Sequence, residues 1–338
     1  MTDTLATAPF GGTDMLITRV GFGAWAIGGG GWAYAWGAQA DDESVRAIVH
    51  AVERGVNWVD TAAVYGLGHS EVVTGQALKA IPEADRPLVF TKGGLRWDSA
   101  KPMEGARRVG EPESIIWEVE QSLKRLGVER IDLYQMHWPA DDGHGVEVYW
   151  PVFAELMDSG KVRAIGLSNH NVAMLDSAEA IAHVNSLQPP FNMLNRGSAA
   201  DVIPWAHAHN TGVIVYSPMA SGVLTGTWSV DKARGLPDDD WRRNSGNHAG
   251  EHLERNLELV ERLRPIAARH GATVGAIAIA WTLTFPGVTG AIVGGRSPEQ
   301  VDGWVNAGDI ELTGEDLTQI RAALTDLQAG DGPLEPVS

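Results

Sequence analysis

Short runs of apolar, often β-branched residues recur along the chain, each ending in one or two polar or glycine positions. Between them lie longer segments whose apolar residues repeat at helical spacing. Eight runs predict strands at 19–22, 56–59, 88–91, 131–136, 162–167, 186–187 with its neighbours, 213–216 and 288–293. The intervening segments predict helices at 41–54, 70–79, 112–126, 148–158, 172–183, 203–209, 273–285 and 298–306. Several helix ends can be read directly. Asp41 opens an acidic first turn, Pro112 takes a first-turn position where no N–H is needed, and Gly55, Gly127 and Gly160 stand just past last turns.

Eight alternating strand–helix units imply a parallel sheet. No Pro/Ser-rich linker or composition break divides the 338 residues. A closed (β/α)8 barrel, the TIM barrel of ~250 residues plus decorations, therefore fits better than two domains, with 1–338 as a single domain. The expected decorations are an N-terminal β-hairpin at 7–18, turning through Phe10, Gly11, Gly12, Thr13 and Asp14, and a C-terminal helix at 314–327. A long Gly/Asp/Arg-rich loop at 221–250 and an extra helix at 253–270 precede the eighth strand.

Charge narrows the partners. With 26 basic and 43 acidic residues the net charge is −17, spread along the chain, and such a field repels nucleic acid and anionic membrane. Any phosphorylated ligand needs its own local cluster of donors. The absence of cysteine removes disulfides, thiol nucleophiles and cysteine metal sites. Residues 1–12 carry no basic segment followed by an apolar one, and the longest apolar stretch, 274–281, is far short of a membrane span. A cytoplasmic protein is expected, monomeric or a weak homo-oligomer.

In barrels of this kind the active site lies at the C-terminal ends of the strands. Those ends carry Asp60, Thr61 and, in the following loop, Tyr65; then Lys92, His137, Ser168 with Asn169, Gln188, Tyr216 with Ser217, and Gly294, Gly295 and Arg296. Any one of these reads most simply as a solvated or capping strand end. Together, a carboxylate, an ammonium, a phenol and an imidazole at successive ends converge on one opening, where mutual charge perturbs their pKa values.

The segment from Gly55 to Gly66, GVNWVDTAAVYG, resembles the signature of the aldo-keto reductase family. Lys92, His137 and the run IGLSN from Ile165 to Asn169 stand at that family's other motif positions in order, and the resemblance covers roughly residues 7–328. It implies reversible, NADPH-dependent reduction of aldehydes or ketones. A free tyrosine, with a pKa of about 10, is a poor donor near neutral pH. The resemblance therefore makes Tyr65 the proton donor with Lys92 as the cation that stabilises its phenolate, Asp60 as the partner of Lys92, and His137 as the group that orients the substrate oxygen.

The same resemblance places Ser168, Asn169 and Gln188 at the nicotinamide carboxamide, Tyr216 against the nicotinamide ring, and Gly23, Ala24 and Trp25 beside the cofactor. The stretch from Ser217 to Gly226, with Met219, Ser221, Gly222 and Leu224, resembles the loop along the pyrophosphate. Gly294, Gly295, Arg296 and Ser297 precede a predicted helix, so backbone N–H groups, a helix N-terminus and a guanidinium can receive a phosphate. That is the local cluster an acidic surface demands, and it favours NADPH over NADH. Gln300 fits an adenosine contact, whereas Trp304 stands where the family often has an adenine-binding asparagine.

Three further features bear on function. Gly21, Gly23 and Ala26, with Asp41 downstream, approximate a dinucleotide-binding glycine loop, yet the Gly- and Trp-rich stretch 26–37 cannot open the helix such a loop needs. His207 and His209 are a close pair, but two residues apart on a predicted helix they do not share a face, and the family uses no metal. Of thirteen tryptophans, Trp25, Trp32, Trp36, Trp97, Trp138 and Trp228 fall in predicted loops, with Trp32, Trp97 and Trp138 as candidate walls of an apolar substrate pocket. Packing beneath the loops is the plainer reading of the same residues. Small-molecule carbonyl compounds are the expected partners. The alternative is a non-catalytic NADPH-sensing subunit on the same fold.

Overall fold

Residues 4–236 and 240–336 are described in the computed structural model. Strands β1 (Thr7–Pro9) and β2 (Leu16–Thr18) form the expected antiparallel hairpin. Eight parallel strands then close into a barrel: β3 (Val20–Gly23), β4 (Trp58–Asp60), β5 (Leu88–Gly93), β8 (Ile131–Met136), β9 (Val162–Ser168), β10 (Ser186–Gln188), β11 (Gly212–Val215) and β12 (Val288–Gly294). The ring runs in sequence order and β12 closes onto β3. Between β5 and β8 a short antiparallel ribbon, β6 (Leu95–Arg96) and β7 (Arg107–Arg108), has no periodic signal in the sequence.

Alternate strand residues point inward and fill the barrel. Trp58, Phe90, Leu133, Ala164, Ile214 and Ile292 make one buried cluster, joined by Phe10, Met15 and Ile17 of the hairpin, which plugs it. Phe10 stacks on Phe90 with ring centroids 5.6 Å apart, and Phe90 meets Trp58 at 5.3 Å. The fit leaves no room at Gly21, where an added Cβ would overlap the Trp58 indole. The other faces of the strands pack against the surrounding helices in a second, larger core.

Those helices are α1 (Asp41–Glu53), α2 (His69–Ala80), α3 (Pro112–Leu126), α4 (Val146–Asp158), α5 (Val172–Glu179), α6 (Val202–Ala208), α7 (Val230–Arg234), α8 (Gly250–Arg269), α9 (Val274–Thr282), α10 (Pro298–Asp302) and α11 (Gly314–Asp326). The extra helix before the last strand and the C-terminal helix are both present as α8 and α11. The expected helix at 298–306 breaks at Gly303 and Trp304 into α10 and a 3-10 turn, Val305–Asp309. Strand β11 stops at Val215, one residue short of the expected end, and Tyr216 joins only through a bridge to Pro190. The prolines at 189 and 190 lack the N–H groups a ladder needs. The region 221–250, whose residues 237–239 lie outside those described, holds α7 and short 3-10 turns rather than open loop. Among the described residues no helix is long and apolar enough to cross a membrane.

Candidate active site

At the floor of the opening lies a buried ion pair. Strand pairing sets Asp60 opposite Phe90, two residues before Lys92 on the same strand. Lys92 Nζ lies 2.5 Å from Asp60 Oδ1 and donates also to the Thr61 carbonyl at 2.9 Å. Gln188 Nε2 donates to the other carboxylate oxygen at 2.9 Å. Burial pushes the Asp60 carboxyl up and the Lys92 ammonium down, and in each case the partner's charge opposes the shift. Such a pair is costly to break and adds little net stability. Its consequence is a fixed cation beneath the next residue.

Tyr65 stands above it. The loop after β4 is tied down by Thr61 Oγ1 against Ser70 Oγ at 2.9 Å, and Ser70 Oγ donates to the Ala24 carbonyl at 2.7 Å. Gly66 adopts φ 59°, and an added Cβ there would overlap the Gly28 carbonyl, so the loops after β3 and β4 touch where only glycine fits. Lys92 Nζ sits 5.2 Å from the centroid of the Tyr65 ring, His137 meets that ring edge-on at 5.6 Å, and Trp25 stacks on it at 6.0 Å. Asp60, Tyr65, Lys92 and His137 are thus brought together.

The electrostatics differ from the sequence expectation in one respect. The phenol of Tyr65 is pushed well above its ordinary pKa, first by burial and then by the Asp60 carboxylate. The Lys92 ammonium that the sequence sets against this rise is itself paired with Asp60 at 2.5 Å. The His137 imidazole is held well below its ordinary pKa by burial and by Lys92. Its Nδ1 is buried without a hydrogen-bond partner among the described residues. At neutral pH the site therefore presents a protonated phenol and a neutral imidazole, both able to donate to one oxygen.

A cavity of about 940 Å³ opens above this floor. Asp60, Tyr65 and His137 line it together with Gly23, Ala24, Trp25, Ser168, Asn169, Gln188, Tyr216, Ser217, Met219, Ser221, Gly222, Gly294, Gly295, Arg296 and Gln300. Leu224 instead lies in the core, Ser297 sits at the N-terminal end of α10 outside the wall, and Lys92 lies under it. Trp32 and Trp138 reach the cavity, as does Trp304, but Trp97 does not. The ribbon ends at Arg96 and the chain turns away, so Trp97 packs against the cluster of Ala62, Val64 and Leu95.

The polar groups at the strand ends form a network. Ser168 Oγ donates to the Gln188 carbonyl at 2.8 Å, Asn169 Nδ2 to the His137 carbonyl at 3.0 Å, and Tyr216 OH to Asn169 Oδ1 at 2.8 Å. Asn169 holds a left-handed backbone, φ 65°. His170, not singled out in the sequence, braces the turn from behind: Tyr149 OH lies 2.6 Å from its Nε2, and its Nδ1 is 2.8 Å from the Ser168 carbonyl. Burial lowers this imidazole to about 4.

Across the cavity, the Arg296 guanidinium is not free. Its Nε donates to Gln39 Oε1 at 2.7 Å, one Nη to the Trp36 carbonyl at 3.1 Å, and the other to the Ala38 carbonyl. Its backbone N–H donates to Gln300 Oε1 at 2.9 Å. The same side holds two residues that carry no sequence motif. Trp241 stacks on Trp25 at 5.7 Å, and Arg242 lies over Trp36 at 4.5 Å while making a two-point contact with Asp240 at 2.9 and 2.6 Å. The loops after β3 and β11 therefore meet over the cavity. The wall suits a nicotinamide dinucleotide, with amides and hydroxyls at one end and cations at the other. At Gly295 an added Cβ would lie 3.6 Å from Trp304 Nε1, a buried donor without a partner among the described residues. Among those residues, no group of three or more His, Cys, Asp or Glu is arranged to hold a metal.

The chain is similar to known proteins over nearly its whole length. The Aldo/keto reductase family model matches residues 19–325. Aldo-keto reductase YhdN of Bacillus subtilis (strain 168) is 34% identical over 92% of this chain and 91% of its own. The NADH-specific methylglyoxal reductase of Escherichia coli (strain K12) is 33% identical over 93% and 96%. The solved glycerol dehydrogenase AKR11B4 from Gluconobacter oxydans superposes with a TM-score of 0.85 at 35% identity, covering 98% of both chains. The chain belongs to the aldo/keto reductase family.

Proposed function

We propose that the chain reduces aldehydes or ketones to alcohols with NADPH, and runs the reverse oxidation, with Tyr65 passing its proton to the substrate oxygen. The observation that carries this is the Tyr65 phenol at the cavity floor, between Lys92 at 5.2 Å and His137 at 5.6 Å. Because burial raises its pKa, the phenol is fully protonated when substrate arrives. As the proton passes to the substrate oxygen, negative charge is left on the Tyr65 phenolate, and Lys92 is the cation beside the ring that stabilises it, with Asp60 and Gln188 keeping that cation in place. The neutral His137 imidazole donates to the same oxygen and fixes its direction. Trp25, stacked on Tyr65, keeps the ring from turning away.

A bound reduced nicotinamide supplies the hydride. Ser168, Asn169 and Gln188 offer the donors and acceptors its carboxamide needs, and Tyr216, locked by Asn169, offers a ring face. Gly294, Gly295 and Arg296 offer donors to a phosphate. Arg296 reaches a 2′-phosphate by exchanging its carbonyl contacts with Trp36 and Ala38 for it. The name of the E. coli relative, NADH-specific methylglyoxal reductase, makes this preference a separate question from the reaction. A panel of aromatic and aliphatic aldehydes with NADPH and with NADH tests both: oxidation of NADPH is expected. Turnover of no aldehyde with either cofactor would refute the reaction, and equal kcat/KM with the two would refute the preference.

A further inference from the structure

Around the closed ring, β5 and β8 stand opposite β11 and β12. The segments suited to phosphate, Ser217–Gly222 and Gly294–Arg296, follow β11 and β12. The ribbon β6–β7 follows β5 and overhangs the other side. In that ribbon Leu95 pairs with Arg108, and Arg96 with Arg107. Directly opposed residues of an antiparallel pair share a face, and their neighbours take the other face. Leu95 and Arg108 accordingly both line the cavity, while Arg96 turns outward and stacks on Trp117 at 4.0 Å.

The Arg108 guanidinium lies 4.5 Å from the centroid of the Trp138 ring, and Trp138 follows His137. Trp138 packs with Val64, Leu95 and Ala106 on the same wall, and on the backbone side the Asp141 N–H donates to the Arg108 carbonyl at 3.3 Å. Among the described residues no carboxylate forms an ion pair with Arg108; the nearby Asp142 is taken by the backbone N–H of Gly110 at 3.0 Å and of His144 at 3.2 Å. On the opposite wall Arg242 is matched by Asp240 and Arg296 by three oxygens, and the further cation there, Lys232, is exposed over Trp228 at 5.1 Å. An aromatic ring under one face of a guanidinium orients it and leaves its N–H edge open. That edge matches a carboxylate at two points, whereas a doubly charged phosphate calls for several cations. In a chain of net charge −17, a cation without a carboxylate partner beside the candidate reaction centre is a local attractor for anions.

We infer that the carbonyl substrate carries a carboxylate and that Arg108 binds it; the inference rests on the reductase reading of this cavity. The test compares para-carboxybenzaldehyde with para-carbamoylbenzaldehyde, which are alike in size and differ in charge, on the wild-type enzyme, Arg108→Gln and Arg108→Lys. One charge-assisted contact corresponds to about 10- to 100-fold in kcat/KM. The wild type should favour the carboxylate by that factor, Arg108→Gln should erase the preference, and Arg108→Lys should keep part of it. No preference in the wild type, or an equal loss on both aldehydes in Arg108→Gln, overturns the inference and leaves Arg108 as a brace for Trp138. A titration of tryptophan fluorescence with para-(hydroxymethyl)benzoate and its amide needs no turnover. If neither aldehyde reacts, the reductase reading fails by itself, and the titration decides the anion site: binding of the benzoate alone, lost in Arg108→Gln, supports it, and equal binding of both compounds sinks it.

Discussion

Replacing Asp60 by Asn leaves Lys92 buried beneath Tyr65 without its counter-charge, because the 2.5 Å contact is its one ion pair among the described residues. The ammonium then either stays charged against burial or gives up its proton. The second route bounds the cost: holding neutral a lysine that titrates near 10.4 when unfolded takes about 4.6 kcal/mol at pH 7. At pH 9 the same bound is about 1.9 kcal/mol. In this variant the folded pKa of Lys92 is depressed, so the unfolded chain binds more protons and stability rises with pH. Relative to wild type, Asp60→Asn should thus recover up to about 2.7 kcal/mol between pH 7 and 9. Removing both charges, Asp60→Asn with Lys92→Met, should cost less than about 2 kcal/mol, since an intact buried pair contributes little net stability. Urea denaturation followed by tryptophan fluorescence reads all three proteins at both pH values. A variant equally destabilised at pH 7 and 9, or a double variant as costly as the two single changes summed, would refute the reasoning.

Other consequences follow from single contacts. Gly21→Ala drives a Cβ into the Trp58 ring and should cost about 1–3 kcal/mol in urea denaturation, with little change in kcat at temperatures where the fold holds. Gly66→Ala forces the Tyr65 loop off the Gly28 carbonyl and should lower kcat about 100-fold while cofactor affinity, read by fluorescence titration, stays within a few-fold. Arg296→Leu should weaken NADPH binding by about 10- to 100-fold and NADH binding far less; an equal effect on both would remove the role given to its guanidinium. With His137 held neutral and Tyr65 held protonated, kcat/KM for carbonyl reduction should be flat from about pH 6 to 9. An inflection near pH 6.5 would show that His137 titrates in the free enzyme.

The barrel was legible because its strands are continuous apolar runs ending in polar residues, a pattern that burial on both faces dictates. Asp60, Tyr65 and His137 fall on one cavity, with Lys92 beneath, for the same reason, since strand ends of a closed barrel converge. What the sequence left out are contacts between residues far apart along the chain. The pairing of Lys92 with Asp60 was legible, whereas the depth at which Tyr65 is buried, which raises its phenol, was not. That Arg296 is held by the loop after β3 could not be read, because Gln39, Trp36 and Ala38 lie far from it in sequence. Trp241, Arg242 and the ribbon that carries Arg108 left no trace, because two-residue strands and a stacked loop have no periodicity to read. Their roles arise only when loops from distant strands meet.

In the proposed reaction everything turns on Tyr65 delivering the proton. Tyr65→Phe keeps the ring against Trp25 and His137 and removes only the hydroxyl, so the fold and cofactor site should stand. Steady-state aldehyde reduction with NADPH, paired with NADPH titration, tests the claim directly. The kcat should fall by about 10²- to 10⁴-fold, as for loss of a general acid, with NADPH affinity unchanged within a few-fold. A Tyr65→Phe enzyme that keeps most of the wild-type rate would contradict it.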